Sequence, residues 1–136
     1  FIDTGLTQNI TLLRANSKVL CIGNISCDTA RDDQNISARI RMVRSGASSD
    51  TGDRTYGGND KNVGGYVGGN GSNHARFVAQ FTMTGLDTEL GNEAAGTTLT
   101  YKFQCRVENS GNNADMRINS NNEISFITLM EISVWF

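Results

Sequence analysis

The chain ends on Glu123-Ile-Ser-Phe-Ile-Thr-Leu-Met-Glu-Ile-Ser-Val-Trp-Phe136, a β-rich apolar segment with no polar tail. Side chains alternate between the two faces of a strand. That puts Ile124, Phe126, Thr128, Met130, Ile132, Val134 and Phe136 on one side, and Ile127, Leu129, Glu131 and Trp135 on the other. Apolar residues on both faces predict a central strand covered from both sides, not a solvated edge. A chain built this way covers the strand with its own N-terminal part or with another copy of itself. The pattern predicts a β-sandwich whose partners are further subunits.

The turns agree. The chain has 15 Gly and no Pro, although average usage is about 5% Pro. Its turns must rely on Gly, Asn and Asp, which tolerate positive φ. At 136 residues, 1–136 reads as a single domain. It opens on Phe1, not Met, and reads as the C-terminal part of a longer polypeptide. A net charge of -2 gives no electrostatic case for nucleic acid. No apolar run reaches the ~20 residues that span a bilayer, so membrane insertion is not expected.

Along the chain, Phe1–Leu6 reads as a short strand, while Leu6, Ile10 and Leu13 also fit a helical spacing. Lys18–Cys27 alternates Val19, Cys21, Gly23, Ile25 and Cys27 against Leu20, Ile22, Asn24 and Ser26. Asp28–Asn35 reads as a polar turn, and Ile36–Val43 as a strand with Ile40 and Met42 inward. From Arg44 to His74 the sequence is Gly-rich and poor in apolar residues, and reads as a long loop or a loop with a weak hairpin near Tyr66-Val67. Arg76–Thr84 returns to alternation. Thr97–Glu108 is the clearest strand, with Leu99, Tyr101, Phe103, Cys105 and Val107 facing in. Met116 and Ile118 mark a short strand before the terminal one. About seven to nine strands and no helix predict an all-β antiparallel sandwich or jelly roll.

No catalytic constellation stands out, and the chain reads as a non-enzyme. His74 is the sole histidine, and no zinc spacing, nucleophile elbow or phosphate loop is present. Cys21 and Cys27 share one strand, about 20 Å apart and beyond disulfide reach. A bridge from Cys105 to either is open, but buried free thiols are the simpler reading. No cofactor is called for. Asp28, Asp32 and Asp33, and separately Asp50, Asp53 and Asp60 with Asn59, are the acidic clusters that admit calcium, without EF-hand spacing. Solvated turn acids are the simpler account. Arg54, Tyr56, Asn59, Asp60, Tyr66 and His74 combine aromatic faces with polar partners, the chemistry that recognises a saccharide.

The two ends carry a resemblance. Phe1-Ile-Asp-Thr-Gly-Leu6, Ile10-Thr11, Ser17-Lys-Val-Leu-Cys-Ile-Gly-Asn-Ile25 and Ser125-Phe-Ile-Thr-Leu-Met-Glu-Ile132 resemble the C-terminal modules of phage tail-fibre-like and virion structural proteins, notably from marine phages. Those modules are similar to trimeric C1q/TNF-like jelly rolls. The middle of the chain, Arg44–His74, has no counterpart, and the chain continues past Ile132 into Ser-Val-Trp-Phe136.

The resemblance implies a homotrimeric fibre-tip domain of a virion, made in the host cytoplasm. Its partners would be copies of itself, other virion proteins and a host surface polysaccharide or protein. It also implies that the first and last strands are neighbours in one sheet. Phe1, Phe126, Met130, Trp135 and Phe136 are the expected subunit interface. Arg44–His74, Asp28–Asn35 and Asp87–Gly96 are expected to face the host together from one end. A purely structural capsid or tail decoration protein shares every fold feature. A fibre-borne glycan depolymerase would need paired carboxylates, for which Asp60, Asp87, Glu89 and Glu93 are the candidates.

Overall fold

The computed structural model describes residues 1–31, 38–50, 54–63, 75–107, 115–119 and 124–133. Eight strands lie in the described residues: β1 (Ile2–Thr11), β2 (Lys18–Arg31), β3 (Ala38–Ser45), β4 (Arg54–Val63), β5 (Ala75–Leu86), β6 (Thr98–Val107), β7 (Asp115–Ile118) and β8 (Phe126–Ile132). They form two packed antiparallel sheets, a β-sandwich. The first sheet has the order β1-β6-β3-β4. In the second, β2 lies between β5 on one side and β7 with β8 on the other. β8 pairs with Lys18–Asn24 and β7 with Cys27–Ala30, so the two act as one interrupted strand.

The core follows from the period-2 pattern. Val19, Cys21, Ile25 and Cys27 of β2 meet Ile40 and Met42 of β3 and Leu99, Tyr101, Phe103 and Cys105 of β6. Leu6 and Ile10 of β1, Phe81 and Met83 of β5, Met116 and Ile118 of β7, and Ile127 and Leu129 of β8 pack around them. The inward face read for Thr97–Glu108 is observed at Leu99, Tyr101, Phe103 and Cys105, and Lys18–Cys27 lies in the central strand of its sheet as read. All three cysteines are free and buried, and burial pushes the Cys105 thiol above its ordinary pKa.

Several expectations are corrected. The terminal segment is not central: β8 bonds to β2, and no strand among the described residues pairs with its far side. Its face with Ile127 and Leu129 packs on the core, while Phe126, Thr128 and Met130 point outward. First and last strands are not partners. β1 pairs with β6 in one sheet and β8 with β2 in the other. The helical spacing over Leu6, Ile10 and Leu13 also fails. β1 is extended through Thr11, and Leu13 is 83% exposed. The alternation that buries Leu6 and Ile10 against the core outweighs a three-point helical match.

β2 continues through Asp28 to Arg31, where a polar turn was expected, because β5 supplies a ladder partner to the end. Within the expected Arg44–His74 loop, Arg54–Val63 is strand β4, paired with β3. Backbone hydrogen bonds along the β3 edge stabilise β4 without an apolar sequence signal.

The three loops expected to face one way do not share an end. The strand ends that bracket 32–37, 64–74 and 108–114 lie at one end of the sandwich. At the opposite end, the 87–97 connection bonds to the turn after β1: Leu12 N–H to Thr97 O, Gly96 N–H to Leu12 O and Asn16 N–H to Glu93 O, at 2.7–2.9 Å.

Two glycines are required by geometry. A Cβ on Gly23 would lie 2.6 Å from the Phe103 ring and 2.7 Å from the Met42 methyl, so the sheets approach here only because no side chain intervenes. Gly46 has φ +101, and a Cβ there would meet the Thr98 carbonyl at 2.5 Å. Gly23→Ala is expected to destabilise the domain by about 1–3 kcal/mol through overpacking. Equilibrium urea unfolding measures it, and an unchanged midpoint would show that the two sheets are not closed on this glycine.

Candidate functional site

The outer faces of the two sheets differ in chemistry. On the second sheet, the ladder registers align Leu86–Leu20–Met130, Thr84–Ile22–Thr128 and Thr82–Asn24–Phe126 across β5, β2 and β8. These three rows contain no charged residue. Leu86 and Phe126 are each 43% exposed and Met130 is 51% exposed. With strands ~4.8 Å apart and outward residues ~6.8 Å apart, nine positions cover on the order of 300 Å². Five of the nine positions are apolar and the other four are Thr or Asn, so the face is uncharged and mixed in polarity.

The outer face of the first sheet is basic. Arg39 of β3 stands opposite Arg106 of β6, Arg41 opposite Gln104, and Val43 opposite Lys102. The Arg41 and Arg106 guanidinium carbons lie 4.0 and 4.7 Å from the centre of the Phe1 ring. The Arg41 Nε–H donates to Gln104 Oε1 at 2.9 Å. Asp3 accepts from Gln104 Nε2 at 2.7 Å and from Lys102 Nζ at 3.0 Å, and both hold its carboxyl below the ordinary range.

These positions sort the residues nominated from sequence. Phe126 and Met130 share the uncharged face. Phe1 lies on the other sheet, against Arg41 and Arg106. Trp135 and Phe136 lie outside the described residues. Arg54, Tyr56, Asn59 and Asp60 share β4, an edge strand of the first sheet, beside the arginine-bearing β3. Tyr66 and His74 lie outside the described residues. The basic row on β3 and β6 was not foreseen. Its signal was in the outward positions of two strands, but only their register places Arg39 beside Arg106.

Asp87 and Glu93, two of the nominated carboxylates, hold structure together at the 87–97 end, while Glu89 is exposed. Arg44 is buried on the inward side and donates through Nη1 to Asp87 Oδ2 at 2.5 Å, Nη2 to Asp50 Oδ1 at 2.7 Å and Nε to Asp50 Oδ2 at 3.1 Å. Asp87 also accepts from the Tyr101 hydroxyl at 2.8 Å. Burial opposes the charge on Arg44, yet the Asp50 and Asp87 carboxylates outweigh it and raise the guanidinium pKa. Burial, then the Asp87 charge, pushes the Tyr101 phenol up.

Glu93 is buried and accepts from the Ser48 amide at 3.0 and 3.1 Å and from its hydroxyl at 2.8 Å. Asp50 therefore serves Arg44 and the Ala47 amide. No group of three or more metal-type ligands occurs among the described residues. Asp32, Asp33 and Asp53 lie outside them.

A second carboxylate joins the sheets. Glu131 of β8 accepts from the Leu13 and Arg14 amides at 2.9 and 3.0 Å. Burial disfavours its charge, but Ser17 and these amides outweigh that and hold its pKa below the ordinary 4.5. The charged form thus contributes stability above that value, and the contribution is lost as pH falls through the lower folded pKa. In Glu131→Gln, unfolding midpoints measured from pH 6 down to pH 3 should fall less steeply than in the parent. Parallel curves would remove the clamp.

Arg44→Met leaves Asp50 and Asp87 buried without their cation, and should cost about 3–5 kcal/mol in denaturant unfolding. A loss under ~1 kcal/mol would show that water replaces the guanidinium there.

Comparison of the chain with protein-family models, curated proteins and solved structures finds no match.

Proposed function

We propose that this domain is a self-assembling adhesion module of a virion. It is a homotrimer with a C1q/TNF-like jelly-roll arrangement at the tip of a fibre, binding a polysaccharide or protein on the host surface. The observation that supports this reading is the uncharged outer face of the second sheet, with Leu20, Ile22, Leu86, Phe126 and Met130 side by side.

Self-association suits such a face because two copies bring no like charges together. Closed symmetric assemblies are the usual form of homo-oligomers. A standard interface buries about 800 Å² per partner. The contact therefore extends beyond the three rows. Three copies of one weak ligand site then gain avidity from the rigid assembly. The pairing of β1 with β6 and of β8 with β2 departs from the neighbouring first and last strands that the resemblance implies. The reading therefore rests on the face, not on strand order.

Light scattering of the purified domain at micromolar concentration is expected to give three times the 14.7 kDa of one chain. Met130→Lys with Leu86→Lys should return it to the monomer with an unchanged circular dichroism spectrum. A monomeric parent protein would end the proposal. A trimer unaffected by the two lysines would move the interface elsewhere.

A further inference from the structure

We propose that Met130 is the oxidation-sensitive site of this domain: a peroxide converts its thioether to the sulfoxide, and the sulfoxide opposes self-association through the outer face of the second sheet. This rests on the assembly reading and names a modification that regulates it.

The four methionines all lie among the described residues, and their surroundings differ. Met42 is buried in the core. Met83 of β5 and Met116 of β7 are partly buried and pack against the same core. Met130 is the one that points outward, and it is 51% exposed. Peroxide reaches a thioether through solvent, so exposure ranks the four. The thiols do not compete on equal terms. Cys21, Cys27 and Cys105 are all buried. Burial raises the Cys105 pKa, which keeps the reactive thiolate scarce.

Position gives the oxidation its consequence. Met130 stands opposite Leu20, which stands opposite Leu86 on its other side. Of the three rows on this face, theirs is the one that is apolar throughout. A methionine there is flexible and polarisable, and adapts to a facing surface. Its sulfoxide is polar, and the added oxygen is a hydrogen-bond acceptor. Burying that oxygen without a donor costs free energy, and the Leu20 and Leu86 side chains offer none. In a homotrimer the penalty recurs in every subunit.

The reaction balances without a metal or cofactor. One oxygen of hydrogen peroxide passes to the sulfur, the thioether is oxidised to the sulfoxide, and the peroxide is reduced to water. A dithiol-dependent methionine sulfoxide reductase reverses it: the oxygen leaves as water and the dithiol becomes a disulfide. Assembly shields the sulfur, so oxidation acts on the free subunit.

The test treats the whole chain with graded hydrogen peroxide at a dilution that dissociates the subunits. Peptide mass spectrometry maps the sulfoxides, and light scattering after concentration gives the molar mass. Met130 is expected to oxidise before Met42, Met83 and Met116. Association should weaken at least about tenfold as it does so, with an unchanged circular dichroism spectrum. Methionine sulfoxide reductase should restore it. Met130→Leu, close in volume and without the sulfur, should assemble like the parent and stay assembled after the same peroxide. Met130→Gln, of similar length but polar, should weaken association with no peroxide added, and it decides the matter if dilution leaves the parent assembled.

Earlier oxidation of another methionine overturns the inference. So does a Met130 sulfoxide or a Met130→Gln variant that assembles like the parent, or a Met130→Leu variant that peroxide still dissociates. With a trimeric untreated parent, each of these leaves the assembly reading standing. A monomeric untreated parent overturns both.

Discussion

The ladder built on β2 organises the second sheet and one wall of the core. Over Lys18–Arg31 it bonds β5 along one side, and β8 followed by β7 along the other. Its inward residues Val19, Cys21, Ile25 and Cys27 supply one wall of the core. Gly23 sets the distance to the opposite sheet, because Phe103 and Met42 occupy the space a side chain would need. Since side chains alternate strictly, a register slip of one residue in β8 would exchange Ile127 and Leu129 for Phe126 and Met130 at the core. The register with β2 therefore decides which part of the apolar C-terminal segment is exposed.

One end of the sandwich is held by polar bonds. There the β1–β2 turn and the 87–97 connection are tied by backbone bonds, by Glu93 on Ser48, and by the Arg44–Asp50–Asp87–Tyr101 network. Glu131 adds a bond from the second sheet to the turn that leaves the first. A buried arginine between two carboxylates is a costly way to fill space, and an apolar replacement of the whole set can equal it in stability. What the network contributes is a specific geometry: its donors and acceptors fit only when three separate segments meet in one arrangement. Asp87, Glu93 and Asp50 attract attention as catalytic or metal-binding acids in the sequence, but each is held by structural partners.

The outer faces of the two sheets differ in chemistry. An uncharged face that repels neither itself nor a neutral partner suits assembly, and covering it removes apolar side chains from water.

Much of this architecture was legible in the chain. The alternation in Lys18–Cys27 and Thr97–Glu108 determined an all-β fold and named most of the core, because one-sided burial imposes a period of two. The absence of proline and the Gly- and Asn-rich turns pointed the same way. The sequence could not show that Arg54–Val63 is a strand, since its ladder with β3 uses backbone groups that every residue carries. Nor could it place the terminal strand at an edge, or set Arg39 opposite Arg106, Phe1 against Arg41, and Arg44 between Asp50 and Asp87. Those depend on pairing between segments far apart in the chain, and local residue patterns carry no record of which strands are neighbours. Residue alternation names the apolar faces; strand pairing selects which of them stays uncovered, because it brings together segments distant in the chain.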